Sequence, residues 1–567
     1  MATSRQSIPV FVLSLCILGL SACNQTHQTS DAEGKVPTPV EPQKPASTLT
    51  EQIAADATGR VMPGEGQKLM RQKSEVAGVM AYSPSFVDIR TPSAPTNRDK
   101  FAAIEDNGVI SVTNSPVSTF SIDVDTGAYA VVRRFLNQGQ MPPTDAVRAE
   151  ELINYFDYNY PTPNKGEQPF SVTTEVSRTP WNKQSHLLHI GIKGKAIDRN
   201  QRPAANLVFL IDVSGSMENA DKLPLLKSAF RLLVKQLDAK DRVSMVVYAG
   251  ASGVVLEPTP GNEQGKILAA LDQLSAGGST HGSAGITLAY AMAEQGRIKD
   301  GINRVILATD GDFNVGTVNH EQLIDLIEQK RANGISLTTL GFGQGNYNDQ
   351  LMEQLADKGN GNYAYIDTIN EARKVLVEEL SATLETIAKD VKIQIEWNPN
   401  VVSEYRLIGY ENRVLAREDF NNDKVDAGDI GAGHTVTALY EVTLVGDKGR
   451  LNPLRYGESK SADAGKNGEI AFLKLRYKEP QGSKSKLISQ PIQTRGIIDN
   501  LRNTSDNFRF SAAVAGFGQL LRGGRYTGEF NYDDAAELAR KARGEDRFGY
   551  RGEFLRMVSL AGSLDNR

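Results

Sequence analysis

The sequence predicts an α/β chain: a doubly wound, mostly parallel sheet flanked by a β-rich domain and followed by C-terminal helices. Three observations carry that prediction. Residues 205–385 repeat strand and helix regularly, the rhythm of parallel strands joined by crossover helices. Near the start of that region, Leu207-Val208-Phe209-Leu210-Ile211 is an unbroken apolar run, as expected of a strand buried on both faces. Beyond Val391 the pattern turns to alternating strands separated by Gly-, Asn- and Asp-rich loops, which calls for a β-sandwich-like unit.

Composition narrows the class. At 567 residues the chain exceeds one hydrophobic core, so about two to four domains are expected. A hydrophobic content of 40% with 23% charged residues fits soluble globular domains rather than a membrane bundle. The formal charge of −5 implies no domain-sized basic surface, and nucleic acid is not an expected partner. Cys16 and Cys23 are the two cysteines, so the remaining chain forms no internal disulfide and no cysteine-based zinc site. Six scattered histidines without an HExxH pattern argue against a zinc hydrolase.

In chain order, Arg5 precedes an apolar stretch over 8–20, the length of a signal-peptide core and too short to span a bilayer. It ends in Leu20-Ser21-Ala22-Cys23, which resembles the lipobox of bacterial lipoproteins. The resemblance implies cleavage of residues 1–22 and acylation of Cys23. Asn24 in the next position resembles the outer-membrane sorting pattern of Gram-negative lipoproteins, which implies a lipid anchor facing the periplasm. Residues 23–106 are polar, with Pro37, Pro39, Pro42 and Pro45 clustered, and read as a flexible tether.

An α+β flanking region is expected over 107–204, with a strand near 118–124, helices over 129–137 and 146–156, and strands over 170–175 and 187–192. Asp123 and Asp125 sit at a strand-to-helix turn, where acidic residues usually cap the helix. In the central domain, 205–388, strands are expected at 207–211, 242–248, 254–257, 304–308, 336–341 and 363–366. Helices are expected over 222–237, 263–274, 283–295, 321–333, 349–358 and 371–388, the first with Asp221 as its N-cap. A β-rich region over 389–480 and a C-terminal linker with helices over 481–567 complete the chain. β-rich stretches on both sides of the central region suggest one flanking domain into which the α/β domain is inserted.

Three loops leave the carboxyl ends of the central strands carrying oxygen ligands. They are Asp212-x-Ser214-x-Ser216, Gly277-Gly278-Ser279-Thr280 and Thr309-Asp310-Gly311. A doubly wound sheet places them on one edge, although about 100 residues separate the extremes. Hydroxyls and carboxylates without thiol or imidazole suit Mg²⁺, Mn²⁺ or Ca²⁺, and the ligand number suits a small octahedral ion that keeps waters and an open position.

Asp212-Val213-Ser214-Gly215-Ser216 with Thr280 and Asp310-Gly311 resembles the metal-ion-dependent adhesion site of von Willebrand factor type A domains. The resemblance spans 205–385. It implies that Ser214, Ser216 and Thr280 bind the metal through hydroxyls, that Asp212 and Asp310 act largely through bound waters, and that an acidic side chain of a protein partner fills the vacant position. The wider chain resembles bacterial lipoproteins with a central von Willebrand type A domain, on Ser121-Ile122-Asp123-Val124-Asp125-Thr126, on the stretch from Tyr405 to Arg413, and on the stretch from Asp426 to His434.

Rival chemistries fit poorly. Gly341-Phe342-Gly343-Gln344-Gly345 lacks the GxGxxG spacing, and no Walker A motif is present, so no nucleotide is expected. Gly250-Ala251-Ser252-Gly253 does not make a nucleophile elbow, and no histidine near Ser214 or Ser216 serves as a base. The loop Asp423–His434 places Val425 and Ala427 where an EF-hand needs ligands, and reads as solvated. The expectation is a non-enzymatic envelope lipoprotein that binds a protein partner through Mg²⁺. An assembly or chaperone-like factor for envelope proteins is the alternative, followed by a metal-assisted hydrolase.

Overall fold

Ala205–Asp212 is the axis of the central sheet in the computed structural model, which describes residues 98–164, 168–197, 201–279, 282–311, 320–452 and 468–565. All eight residues of this strand are buried. It pairs in parallel with Arg242–Tyr248 on one side and Ile302–Thr309 on the other. Ser336–Phe342 and Tyr363–Ile366 extend the sheet in parallel, and Ser252–Pro260 closes the opposite edge antiparallel to Arg242–Tyr248. The antiparallel edge follows from the tight turn at Ala249–Ala251, which is far too short for a crossover.

The apolar run explains the two layers of helices. Leu207, Phe209 and Ile211 face one core with Leu226, Phe230 and Leu233 of Leu223–Val234. Val208 and Leu210 face the other with Ile286 and Ala289 of Gly282–Gln295. Because consecutive side chains alternate across a strand, one unbroken apolar run serves both faces. The strand order also makes the carboxyl end of Ala205–Asp212 the point where connections diverge to left and right, the position at which open α/β sheets bind ligands.

The expected helix over 371–388 does not form as one element. It breaks into Ile369–Arg373, a π turn at Lys374–Glu378 and Leu380–Leu384, after which Thr386–Trp397 is a strand. Ile387 and Ala388 are buried in a β core, and that tertiary burial overrides the local helical pattern.

That β core is a sandwich made from both flanks of the central domain. One sheet runs Ile110–Ser111, Val402–Ile408, Thr435–Leu444, Asn182–Gly194, Phe170–Thr179 and Ile497–Ile498. Thr435 pairs with Lys193 and Val442 with His186, so strands some 250 residues apart in sequence share one ladder. The facing sheet joins Thr386–Trp397 to Val117–Ser121, Ile430–Gly431, Glu469–Lys478 and Ser485–Gln493. Phe120, Leu188, Ile190, Ile393, Ile395, Trp397, Tyr440 and Leu473 fill the space between them. Ser485–Gln493 lies where the sequence suggests only a linker. It is an edge strand that buries Ile488 and Ile492 while Leu487 stays exposed, so its apolar pattern is thin.

Helices Gly127–Asn137, Ala149–Asn154, Asp506–Leu521, Tyr532–Lys541 and Tyr550–Asp565 form an outer layer. Its core of Tyr129, Phe156, Phe510, Phe517 and Phe554 also takes in Leu187 and Leu439 from the sheet. Arg133 on Gly127–Asn137 ties this layer to the central domain through ion pairs to Asp367 and to Glu371 (2.7 Å), while its pair with Glu553 (2.7 Å) stays within the layer. Among the described residues, no helix is long and apolar enough to cross a membrane.

Candidate metal centre

At the carboxyl end of Ala205–Asp212 the chain turns sharply through a 3₁₀ turn at Gly215–Glu218. Asp212 is fully buried, and its carboxylate organises the turn. Oδ1 accepts the Ser214 backbone N–H at 2.9 Å, while Oδ2 accepts the Thr309 hydroxyl at 2.9 Å and the Tyr248 hydroxyl at 3.2 Å. Burial pushes the Asp212 carboxyl up, with the Asp310 charge adding to it, and the Ser214 and Thr309 hydrogen bonds oppose the shift. Tyr248 is the register partner of Asp212 on the neighbouring strand. Burial holds its phenol well above the usual value, so it remains a donor.

The turn leaves the Ser214 and Ser216 hydroxyl oxygens 3.1 Å apart, with Ser214 buried and Ser216 exposed. The two oxygens are hydrogen-bonded to each other, and their separation is close to the roughly 3 Å between adjacent corners of an octahedron with bonds of about 2.1 Å. The loop before Thr280 comes to the same place. Gly277 N–H donates to Val213 O at 2.8 Å, and Gly215 N–H donates to Gly278 O at 3.0 Å. Gly278 has φ +85° and Gly311 φ +86°, backbone states that favour glycine at both tight turns. Thr280 itself lies outside the described residues, as do Cys23 and the tether.

Asp310 is buried, and Lys222 Nζ donates to its Oδ2 at 2.9 Å. Asn346 Nδ2 approaches the same oxygen at 3.3 Å, and Lys222 Nζ also donates to Asn346 Oδ1 at 3.2 Å. Lys222, not Asp221, occupies the N-cap position of Leu223–Val234, and no side chain caps that helix. Its chain runs back to the sheet edge, which corrects the expected cap. The Gly341–Gly345 segment, set aside above as a nucleotide loop, is the rim that carries Asn346. Asp99 Oδ1 accepts the Gly345 and Tyr347 N–H groups at 2.9 Å each, and Arg134 holds both Asp99 (2.6 Å) and Gly343 O (3.2 Å).

The structure therefore brings Asp212, Ser214, Ser216 and Asp310 together at one sheet edge. Lys222, Tyr248, Thr309 and Asn346 are neighbours that the motif does not contain. Tyr248 was detectable as the residue ending the adjacent strand at equal register, whereas Asn346 lies over 30 residues beyond Asp310 and carries no motif signal. Asp123 and Asp125 do not cap the following helix. Thr126 at that N-cap makes no side-chain bond, and Glu151 Oε2 accepts Ala128 N–H at 2.7 Å instead. Asp123 receives Arg413 Nε at 3.2 Å, and Asp125 receives Tyr363 N–H at 2.8 Å. His434 is a lone imidazole pushed down to about 4 by burial, as a structural histidine would be.

Comparison with known proteins identifies the family. The von Willebrand factor type A domain model matches residues 206–379, and the model described as "Uncharacterized protein YfbK, C-terminal" matches 382–564. Uncharacterized protein YfbK of Escherichia coli (strain K12) is 46% identical over 500 residues, covering 86% of each chain. Uncharacterized protein sll0103 of Synechocystis is 29% identical over 185 residues, which is 33% of this chain and 43% of that one. A solved von Willebrand factor type A structure from Catenulispora acidiphila is 15% identical, covers 70% of this chain and 91% of its own, and superposes with a TM-score of 0.39. The chain belongs to the YfbK family and carries its von Willebrand factor type A domain between the two halves of a β-sandwich.

Proposed function

We propose that this protein is a cell-envelope lipoprotein that binds a protein partner through a divalent ion, Mg²⁺ in the first instance. Asp212, Ser214, Ser216, Thr280 and Asp310 would hold the ion, and Cys23 would carry the lipid that fixes the body to the outer membrane. When bound, the ion supplies a Lewis-acidic position that an acidic side chain of the partner fills. The observation that carries this reading is the hydrogen-bonded Ser214–Ser216 hydroxyl pair, 3.1 Å apart and with Ser216 exposed, on a turn held by buried Asp212. In the chain's own residues, Asp212 orients the turn by accepting the Ser214 N–H, and Tyr248 and Thr309 hold that carboxylate in place.

A binding role is favoured over hydrolysis by the company the hydroxyls keep. Tyr248, which donates to Asp212, holds its proton too firmly to act as a base. Crosslinking in intact cells with and without EDTA, in wild type and Asp212→Asn, tests the reading. A partner captured only by the wild type and only without chelator is the expected result. Capture that is indifferent to both EDTA and the substitution contradicts it. A broad set of metal-dependent captures points to the assembly-factor alternative. Moving Cys23→Ser protein from the membrane to the soluble fraction is the matching result for the anchor.

A further inference from the structure

Lys222 lies outside the motif residues, and its placement deepens the reading of this site as a metal centre, on which the inference rests. We propose that Lys222 sets the charge of the site: it weakens the hold on a bare divalent ion and favours an ion that also carries an anionic ligand. Only 3% of Lys222 is exposed, and its Nζ contacts Asp310 Oδ2 at 2.9 Å and Asn346 Oδ1 at 3.2 Å. An ammonium buried this far is tolerated because both contacts are made.

Its position is built rather than adopted by a swinging surface side chain. The aliphatic stem lies against Gly343, where a Cβ would collide with it and where φ is +72°. Gly343 O in turn accepts Arg134 NH1 at 3.2 Å and the Tyr365 hydroxyl. The rim from Gly345 to Tyr347 is held by Asp99. The ammonium is thus clamped from the helix that starts at Leu223 and from the rim together.

Charge arithmetic gives the consequence. Asp212 and Asp310 contribute −2, and Lys222 contributes +1, so the described site stands at −1. Among the described residues, no third carboxylate gathers with these two. A divalent ion takes the total to +1, and a carboxylate ligand then takes it to 0. Without Lys222 the same three states are −2, 0 and −1. The bare ion is then the neutral state, and a carboxylate ligand adds unbalanced charge. Because Asp212, Asp310 and Lys222 are buried, each such imbalance is screened less than at the surface, and the ion's own charge must be counted with the protein's.

The test uses the full chain as wild type, Lys222→Met and Lys222→Arg, with Mn²⁺ binding followed by electron paramagnetic resonance and acetate as the carboxylate probe. Lys222→Met keeps the length of the stem against Gly343 and removes the charge. It is expected to bind Mn²⁺ tighter by roughly tenfold, the factor that 1.4 kcal/mol represents. Acetate should bind its Mn²⁺-loaded form about tenfold more weakly by the same conversion. Lys222→Arg should restore both values toward wild type. These shifts run in opposite directions, whereas a damaged fold weakens both and lowers the melting temperature, so weakening of both overturns the proposal. Saturable wild-type binding with unchanged values in Lys222→Met overturns the role of Lys222 and leaves the metal reading standing. Absence of saturable binding in all three proteins overturns the metal reading and this proposal with it. Binding in Lys222→Met alone contradicts the metal reading of the wild-type site and overturns this proposal with it.

Discussion

The sheet edge at Asp212 and the seam between the sandwich and the central domain at Asp123 are both built on buried carboxylates, yet they are closed differently. At the seam, Asp123, Glu151 and Glu353 bring carboxylate oxygens within 4.8 Å of one another, all of them buried. By composition this is the more metal-like of the two places. Guanidinium groups fill it. Arg148 pairs with Asp349 at 2.5 Å and with Glu151, while Arg413 pairs with Asp123 (3.2 Å), Glu353 (3.3 Å) and Asp357 (2.6 Å). At the sheet edge the Lys222 ammonium serves Asp310, and the Ser216 hydroxyl is exposed to water. The number of acids is therefore a poor guide to a metal site. What decides is whether oxygen lone pairs are left facing solvent once the internal cations have been placed.

The largest effect that would test this contrast is at the seam. Arg148→Met leaves Asp349 and Glu151 buried without their charge partner, and urea denaturation should show a loss of about 3–5 kcal/mol. Metal affinity of the folded fraction should stay as in wild type. A loss below about 1 kcal/mol would show that the seam is hydrated and not a closed ion-pair network. Next in size is Asp310→Asn at the sheet edge. It should lower stability by about 1–3 kcal/mol, because Lys222 keeps a hydrogen-bond acceptor and loses its counter-charge. Titration calorimetry should show Mg²⁺ affinity reduced by about tenfold or more, the factor of 1.4 kcal/mol.

The seam also predicts a pH dependence, at Glu151. Burial pushes Glu151 up to about 8 from an ordinary 4.5, against the pull of Arg148. The folded state then binds more protons than the unfolded one across that interval. Its contribution to stability is complete below about 4.5 and is lost as pH rises through about 8. Denaturation midpoints should therefore fall between pH 6 and pH 8.5, and Glu151→Gln should flatten the decline. A midpoint that climbs over this range in wild type contradicts the assignment.

Much of the central domain was legible in the sequence because its signals are local. The run Leu207–Ile211 marks a strand buried on two faces, and Asp212, Ser214 and Ser216 follow within five residues of it. Asp310 was reachable because it ends a second apolar strand on the same edge. Lys222, Tyr248 and Asn346 escaped, since their roles arise only when three separate chain segments meet. Lys222 lies ten residues past Asp212, and the pattern gives no sign that its side chain returns to Asp310. The flanking sandwich was legible as β structure on both sides. Its shared ladder, with Val436 opposite Ile192, is a long-range pairing that periodicity does not encode. Ser485–Gln493 was missed because an edge strand buries few side chains, and the helix over 371–388 was overdrawn because sandwich burial of Ile387 and Ala388 outweighs local preference.

The smallest structural change gives the sharpest test. Ser216 is exposed, and Ser216→Ala should alter stability by no more than about 0.5 kcal/mol, as surface substitutions do. The measurement is a Mg²⁺ titration of wild type and Ser216→Ala by calorimetry, with melting curves beside it. The account predicts one saturable site in wild type, its loss or severe weakening in Ser216→Ala, and superimposable melting curves without metal. Equal Mg²⁺ affinity in the two proteins, or no saturable binding in wild type, would contradict it.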